Sequence, residues 1–312
     1  MIFPHVLRPK SLLNRLVVST LPFIPKSVVG LVSRRYIAGE TLDDAVKQIR
    51  ILNAGRFSAT ADLLGEYITR IEEAGVIRGQ IENVFRALAE HRLNSTVSVK
   101  LSQLGLLIDR QACYRNVRSL VELAQTLGNR LTIDMEDSST VDATWEIYYR
   151  LRADGLSNVG MVAQAYLHRI QDDMRKFVRS GGGEIRLCKG IYIEPVSISY
   201  LNREDVRKNY LQVLEILLDG GVKTGIATHD DMLVERAGEM IAKKKTPTSS
   251  YEFQMLLGVR EPLRDGVLHG GHPLRVYVPF GERWYAYSVR RLRENPQIAG
   301  YVVKAMFGRL IP

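Results

Sequence analysis

Two hydrophobic periods take turns along this chain. Short runs rich in β-branched residues, at 57–62, 96–101, 131–135, 159–164, 184–189, 223–228, 251–256 and 275–279, each end in a polar or glycine cluster. Between them lie longer stretches with apolar positions at helical spacing, at 68–91, 111–127, 141–154, 172–180, 203–219, 232–245 and 284–294. Such alternation predicts a parallel sheet whose strands are joined by crossover helices. Eight such units in about 250 residues point to a closed (β/α)8 barrel of the TIM type rather than an open sheet. The GxGxxG fingerprint of an open dinucleotide-binding sheet is missing. No Gly/Ser tract, long charge block or internal repeat divides residues 40–312, so they read as one domain.

Composition narrows the class. With 312 residues, 46% hydrophobic and 25% charged, the chain can bury a large core, which excludes disorder, collagen and simple coiled coil. Cys113 and Cys188, its two cysteines, cannot build a disulfide framework or a four-thiolate metal site and fit a reducing compartment. Charge adds more. The net value is +9, and Arg8, Lys10, Arg15, Lys26, Arg34 and Arg35 place six of those charges in residues 1–39, where there is no acid. Such a segment suits a transit peptide, a membrane-surface contact, a nucleic-acid arm or a basic helix packed on the domain. No run approaches the ~18 apolar residues that a spanning helix needs. Pro4, Pro9, Pro22 and Pro25 interrupt any secretory signal.

In a barrel of this kind, chemistry collects at the carboxyl ends of the strands. The second strand ends in Ser98-Val99-Lys100-Leu101, the third in Asp134-Met135-Glu136-Asp137 and the fourth in Ala163-Gln164-Ala165-Tyr166. The fifth carries Arg186 and Lys189-Gly190-Ile191-Tyr192, and the sixth ends in Thr228-His229-Asp230. On the last helix, Tyr287, Arg290, Arg291 and Glu294 are spaced to share one face. Gathering these charges at one mouth is costly without an anionic ligand.

Each feature also has an ordinary reading. Lys100 could simply pair with Asp134 on the next strand. The Asp-Met-Glu-Asp run resembles a divalent-metal site, but no second cluster supplies histidines at ligand spacing, so no metal is expected. His229 could be a core histidine, a metal ligand or a cofactor hydrogen-bonder, the core reading being slightly preferred. His269-Gly-Gly-His272 reads as a solvent-exposed turn. Lys189-Gly190 would suit a phosphate, although strand-end glycines are common turn formers. The Arg290–Arg291 pair, flanked by Trp284, Tyr285 and Tyr287, is the stronger signal, since guanidinium grips a carboxylate through paired hydrogen bonds.

At these residues the chain resembles proline dehydrogenases, specifically the monofunctional bacterial form. The likeness runs through 35–40, Asp62-Leu63-Leu64-Gly65-Glu66, Ser98-Val99-Lys100-Leu101-Ser102, Asp134-Met135-Glu136-Asp137, Ala227-Thr228-His229-Asp230, Glu252-Phe253-Gln254-Met255-Leu256 and Tyr287-Ser288-Val289-Arg290-Arg291. The resemblance implies an FAD-bound barrel at 40–312, with extra basic helices in 1–39 and a final helix over the barrel mouth. Such an enzyme oxidises L-proline to Δ1-pyrroline-5-carboxylate, the first step of proline catabolism to glutamate, and passes electrons to a membrane quinone. Lys100, Arg290 and Arg291 match residues that hold the substrate carboxylate. Asp134, Arg186 and Tyr277 match the catalytic set, with Arg186 beside the flavin N5 edge. Met135, Gln164, Arg186, Cys188, Lys189, Gly190, Thr228 and His229 match flavin contacts. Tyr277, Tyr287 and Leu256 match the wall around the pyrrolidine ring, and Glu66 matches a gate partner of Arg290. Gly190-Ile191-Tyr192, Ala163-Gln164-Ala165-Tyr166 and Pro279-Phe280-Gly281 depart from the usual Gly-Ala-Tyr, Leu-Gln-Ser-Tyr and Pro-Tyr-Gly, and Ile191 adds bulk near the flavin.

The expected location is cytoplasmic, peripheral on the inner face of the cell membrane, with no nucleic-acid partner. Two alternatives stand beside this reading. One is another flavin barrel of the methylenetetrahydrofolate reductase type, which has no use for the arginine pair. The other is a non-catalytic basic barrel that binds nucleic acid or membrane.

Overall fold

The computed structural model describes residues 30, 33–65, 68–285 and 287–288. Glu66, Arg290, Arg291, Glu294, most of the basic segment and most of the run 284–294, expected as a helix, therefore lie outside the described residues. Eight parallel strands close into a barrel in sequence order. They are β1 Ser58–Leu63, β2 Ser95–Lys100, β3 Leu131–Asp134, β4 Val159–Gln164, β5 Glu184–Cys188, β6 Lys223–Ala227, β7 Tyr251–Leu256 and β8 Leu274–Phe280. Pairing from Ser58↔Arg275 to Leu63↔Phe280 joins β1 to β8 and completes the ring. The crossovers are α2 Ile71–Glu90, α3 Arg110–Thr126, α4 Val141–Ala153, α5 Ile170–Arg179, α6 Arg203–Asp219, α7 Asp231–Lys244 and α8 Glu261–His269.

Two helices were not expected from the sequence. One is α1 Leu42–Ala54, which packs against β8 and β1 and covers the closing seam. A capping box starts it: Thr41 Oγ1 accepts from the Asp44 amide at 3.2 Å, and Asp44 Oδ2 accepts from the Thr41 amide at 3.0 Å. The other is α8, only nine residues long, which carries Pro262 in its first turn and Gly266 within and so reads as a loop. Most other boundaries move by one or two residues. Leu101, expected in β2, instead opens a 3-10 turn over Leu101–Leu104.

The alternation within the strands decides what the barrel can do. Ala59, Ala61, Val97, Val99, Leu131, Ile133, Ile185, Leu187, Val276 and Val278 are buried in the shell between strands and helices. Burying one large aliphatic side chain contributes about 1.5–3 kcal/mol, so this shell supplies most of the stability. The intervening positions face the axis, where such barrels ordinarily carry branched apolar side chains. Here the axis holds Asp62, Lys100, Asp134, Glu184, Arg186, Lys223, Glu252 and Arg275, four anions against four cations. The interior is polar and charge-balanced.

One expectation fails at the opposite end from the strand carboxyl termini. His269 is exposed, but His272 is half-buried: its Nδ1 lies 2.8 Å from the Tyr251 hydroxyl and its ring packs against Phe253. The turn just before β8 folds His272 onto the start of β7, and burial lowers its pKa.

Candidate active site

Asp134, the last residue of β3, is the hub of the barrel mouth. Its Oδ1 accepts from Arg186 Nη1 at 2.6 Å and from Ser98 Oγ at 3.1 Å. Its Oδ2 accepts from the Tyr277 hydroxyl at 2.8 Å and from Lys100 Nζ at 3.4 Å. These donors come from β5, β2 and β8, and only barrel closure can bring them together. Burial alone would raise the Asp134 pKa, but the charges of Lys100 and Arg186 and the bonds from Tyr277 and Ser98 hold it below its ordinary value. Tyr277 moves the other way: burial and the nearby Asp134 and Asp62 charges push its phenol well above the usual range.

Lys100 joins two carboxylates. The Asp134 pairing expected from the sequence is present, yet Asp62 is the closer partner at 2.8 Å. Burial disfavours the ammonium, but Asp62 and Asp134 outweigh it and hold the Lys100 pKa above its ordinary value. The lysine therefore stays charged at any physiological pH.

The Asp-Met-Glu-Asp run is divided among separate tasks. Glu136 turns away to accept from the Ser102 amide at 2.9 Å and its hydroxyl at 2.5 Å, tying the β3 end to the β2 end. Asp137 accepts from the Ser139 amide at 3.0 Å. The Met135 side chain is buried in the main core. Among the described residues, no three His, Cys, Asp or Glu side chains cluster to hold a metal ion.

The expected flavin contacts line the adjoining rim, from β4 to β6. Gln164 Nε2 donates to the Met135 and Glu136 carbonyls at 3.3 and 3.1 Å, while its buried Oε1 has no partner. An orphaned buried acceptor is unusual and marks a place where a donor belongs. Cys188 closes β5, and burial pushes its thiol up to about 11, so it is a neutral neighbour rather than a nucleophile. Gly190 has φ +101°, and a Cβ there would collide with the Tyr166 ring. Only glycine lets the chain leave β5 along this path. Ile191 follows it, 43% exposed. Thr228 Oγ1 accepts from the Asp230 amide at 3.2 Å. His229 Nε2 accepts from the Leu256 amide at 2.9 Å, which puts the proton of the neutral ring on Nδ1. His229 thus bridges the β6 and β7 ends rather than filling the core.

Beside this rim stands a basic cluster of which sequence reading singled out Lys189 but missed Arg203 and Arg207. Buried Asp230 accepts from Arg207 at 2.7 and 3.0 Å, from Arg203 at 3.2 Å and from Lys189 at 3.4 Å. Burial would raise its pKa, but the bonds from Arg207 and Arg203 and the Lys189 charge bring it well below the ordinary value. Three cations face two carboxylates, since Arg207 also donates to Glu204 at 2.7 Å, and the remaining positive charge suits a diphosphate. The orphaned Gln164 acceptor and this cluster both fit the polar and phosphate groups of a flavin nucleotide. Tyr287 is buried with Ile37, Leu64 and Trp284, and Leu256 ends β7 in register with Tyr277. Asp62, Ser98 and Gln254 stand within quoted motifs, yet their part in the site is visible only once the barrel closes.

Known proteins resemble this chain over most of its length. The family profile described as proline dehydrogenase matches residues 45–304. Proline dehydrogenase 1 of Bacillus subtilis is 34% identical over 274 residues, 88% of this chain and 90% of that protein. Proline dehydrogenase of Deinococcus radiodurans is 32% identical over 278 residues, 88% of this chain and 89% of that one. Among solved structures, proline utilization A (PutA) from Bdellovibrio bacteriovorus, inactivated by N-propargylglycine, superposes with a TM-score of 0.81 at 24% identity. That match covers 96% of this chain but 38% of the longer one, and establishes the shared fold. The chain belongs to the proline dehydrogenase family.

Proposed function

We propose that this chain oxidises L-proline to Δ1-pyrroline-5-carboxylate with bound FAD and passes the electrons to a quinone. The observation that carries the reading is the convergence of Lys100, Arg186 and Tyr277 on Asp134 at the barrel mouth. Bound FAD would supply the hydride acceptor. Met135, Gln164, Arg186, Cys188, Lys189, Gly190, Thr228 and His229 would hold it, with Arg203 and Arg207 adding charge for its phosphates. Lys100, kept cationic by Asp62 and Asp134, would give its remaining N–H to the substrate carboxylate. Arg290 and Arg291 would complete that grip and aim the ring carbon, a proximity effect. Arg290 and Arg291, added to Lys100, would favour the neutral amine, the form whose neighbouring carbon can release hydride. Arg186, fixed by three acceptors, would favour the electron-rich reduced cofactor. Glu66 and Arg290 would form the gate over the site.

Anaerobic addition of proline to purified yellow protein should bleach the flavin absorbance, and protein that stays yellow would overturn the reading. Losing a charge-assisted bidentate grip costs at least about tenfold in kcat/KM, so Arg290→Met and Arg291→Met should each show that loss, chiefly in KM. Wild-type kinetics in both would remove the carboxylate assignment.

Delivery of electrons to a quinone requires contact with the bilayer. No helix of the described residues is long and apolar enough to cross a membrane. Of the six basic residues of 1–39, Arg35 is tied to Glu261 and to the Gly258 carbonyl, both at 3.1 Å; the other five support peripheral binding on the anionic inner face, at about 1 kcal/mol per residue near the surface. Flotation with anionic liposomes should fall as salt rises, and salt-independent partition would refute this mode of contact.

A further inference from the structure

Arg186 is held from beneath as well as from the mouth. Its Nη1 and Nη2 meet Asp134 and Ser98, while its Nε donates down the axis to Gln254 Oε1 at 2.6 Å. The other end of that amide, Nε2, donates to Glu252 Oε1 at 2.7 Å. The same carboxylate oxygen accepts from Arg275 Nε at 2.5 Å, and Arg275 Nη1 is anchored on the Ala59 carbonyl at 2.5 Å. The chain Arg186–Gln254–Glu252–Arg275 runs through the barrel interior, and its four members are only 7–9% exposed.

An amide can face two ways, and here one way is excluded. Arg275 holds the buried Glu252 ionised despite its burial, so the carboxylate can only accept. A flipped Gln254 would set its own oxygen against that carboxylate and its NH2 against the guanidinium of Arg186. Both contacts would be repulsive. The Glu252–Arg275 pair therefore fixes which end of Gln254 points upward. Space is reserved for it too: a Cβ at Gly225 on β6 would collide with the Gln254 amide. Gly225 has an ordinary negative φ, so its need for glycine arises from this contact and not from its backbone.

We infer that Gln254 is a positioning residue for Arg186, oriented by the Glu252–Arg275 pair and given room by Gly225. The inference rests on the proposed function only in that Arg186 faces the flavin. It extends the site along the axis to a pair that touches neither substrate nor cofactor.

The test uses flavin-loaded parent, Gln254→Leu and Gly225→Ala. Sulfite, which adds to the flavin ring as an anion, serves as a probe independent of proline. Losing one hydrogen bond to a charged group corresponds to about tenfold or more, so both variants should bind sulfite about tenfold more weakly. Their anaerobic reduction by proline should slow by a similar factor, with KM for proline nearly unchanged. Should Gln254→Leu fail to fold, Gly225→Ala decides, because it keeps every hydrogen-bonding group and only displaces the amide. Parental sulfite affinity in folded Gly225→Ala overturns the inference, as does a loss confined to melting temperature or to KM. A parent that binds sulfite yet is not bleached by proline sinks the substrate reading, and the sulfite comparison still judges the positioning.

Discussion

Asp134→Ala should lose at least about a hundredfold in kcat/KM, the scale of misplacing reacting groups by an ångström, and should also be destabilised by about 3–5 kcal/mol, because removing one partner leaves buried charges uncompensated. Among the described residues Arg186 then has no carboxylate partner, Lys100 keeps Asp62 alone, and the Tyr277 hydroxyl loses its acceptor. Asp134→Asn separates charge from shape and gives the pH dependence a definite sign. The Asp134 pKa is lowered on folding, so its contribution is complete above the ordinary value of 3.8 and disappears as pH falls through the folded value. Lys100 is raised on folding, so its contribution is complete below 10.5 and is lost as pH rises through its folded value. Urea melts of parent and Asp134→Asn should differ by a constant amount near neutrality and converge below about pH 4. A gap that persists undiminished at pH 3 would mean that the ionised carboxylate is not what stabilises the parent.

The second large effect is on stability. Glu252→Ala should cost about 3–5 kcal/mol by leaving Arg275 buried and unpaired, lowering the melting temperature by roughly 10 °C. Arg275→Ala should cost a similar amount. Replacing both by alanine should cost clearly less than the sum, since the double change leaves neither charge stranded. Strict additivity in that cycle would show that the two residues act independently, against the contact between their side chains at 2.5 Å.

The barrel was legible because its stability and its chemistry occupy alternate positions. Thr96-Val97-Ser98-Val99-Lys100 sends apolar side chains to the helices and polar ones to the axis, a period of two that needs no structure to see. Lys100, Asp134 and Arg186 stood out as charges inside strand runs. Asp62 and Gln254 did not, although they lie in equally visible motifs. Asp62 acquires its meaning from Lys100 on the neighbouring strand, and Gln254 from Arg186 across the axis, so neither partner is near in sequence. The Asp230 cluster was hidden for a related reason: Arg203 and Arg207 look like ordinary charges in the first turns of a helix until α6 meets the β6 end. His272 was misread because glycines on its N-terminal side suggested an open turn, whereas strand pairing folds it onto Tyr251. Helix α8 was lost to its own proline and glycine, which local propensity counts against a helix and which flanking strands override.

The charge-balanced axis also bears on how the chain reaches its native state. Arg275 meets the Ala59 carbonyl 216 residues away, and Tyr277 meets Asp134 across 143, so these links wait for the first and last strands to join. Until then, an unfinished barrel turns toward water a trough of carboxylates, guanidiniums and hydroxyls that solvent already satisfies. Its sticky surfaces are the outer ones, and each crossover helix covers those as it forms. Partly assembled molecules should therefore stay dispersed during refolding, with little binding of a hydrophobic dye; strong early dye binding would contradict this. The closing β1–β8 seam is then the expected slow step, in which hydration of the charged trough is exchanged for ion pairs.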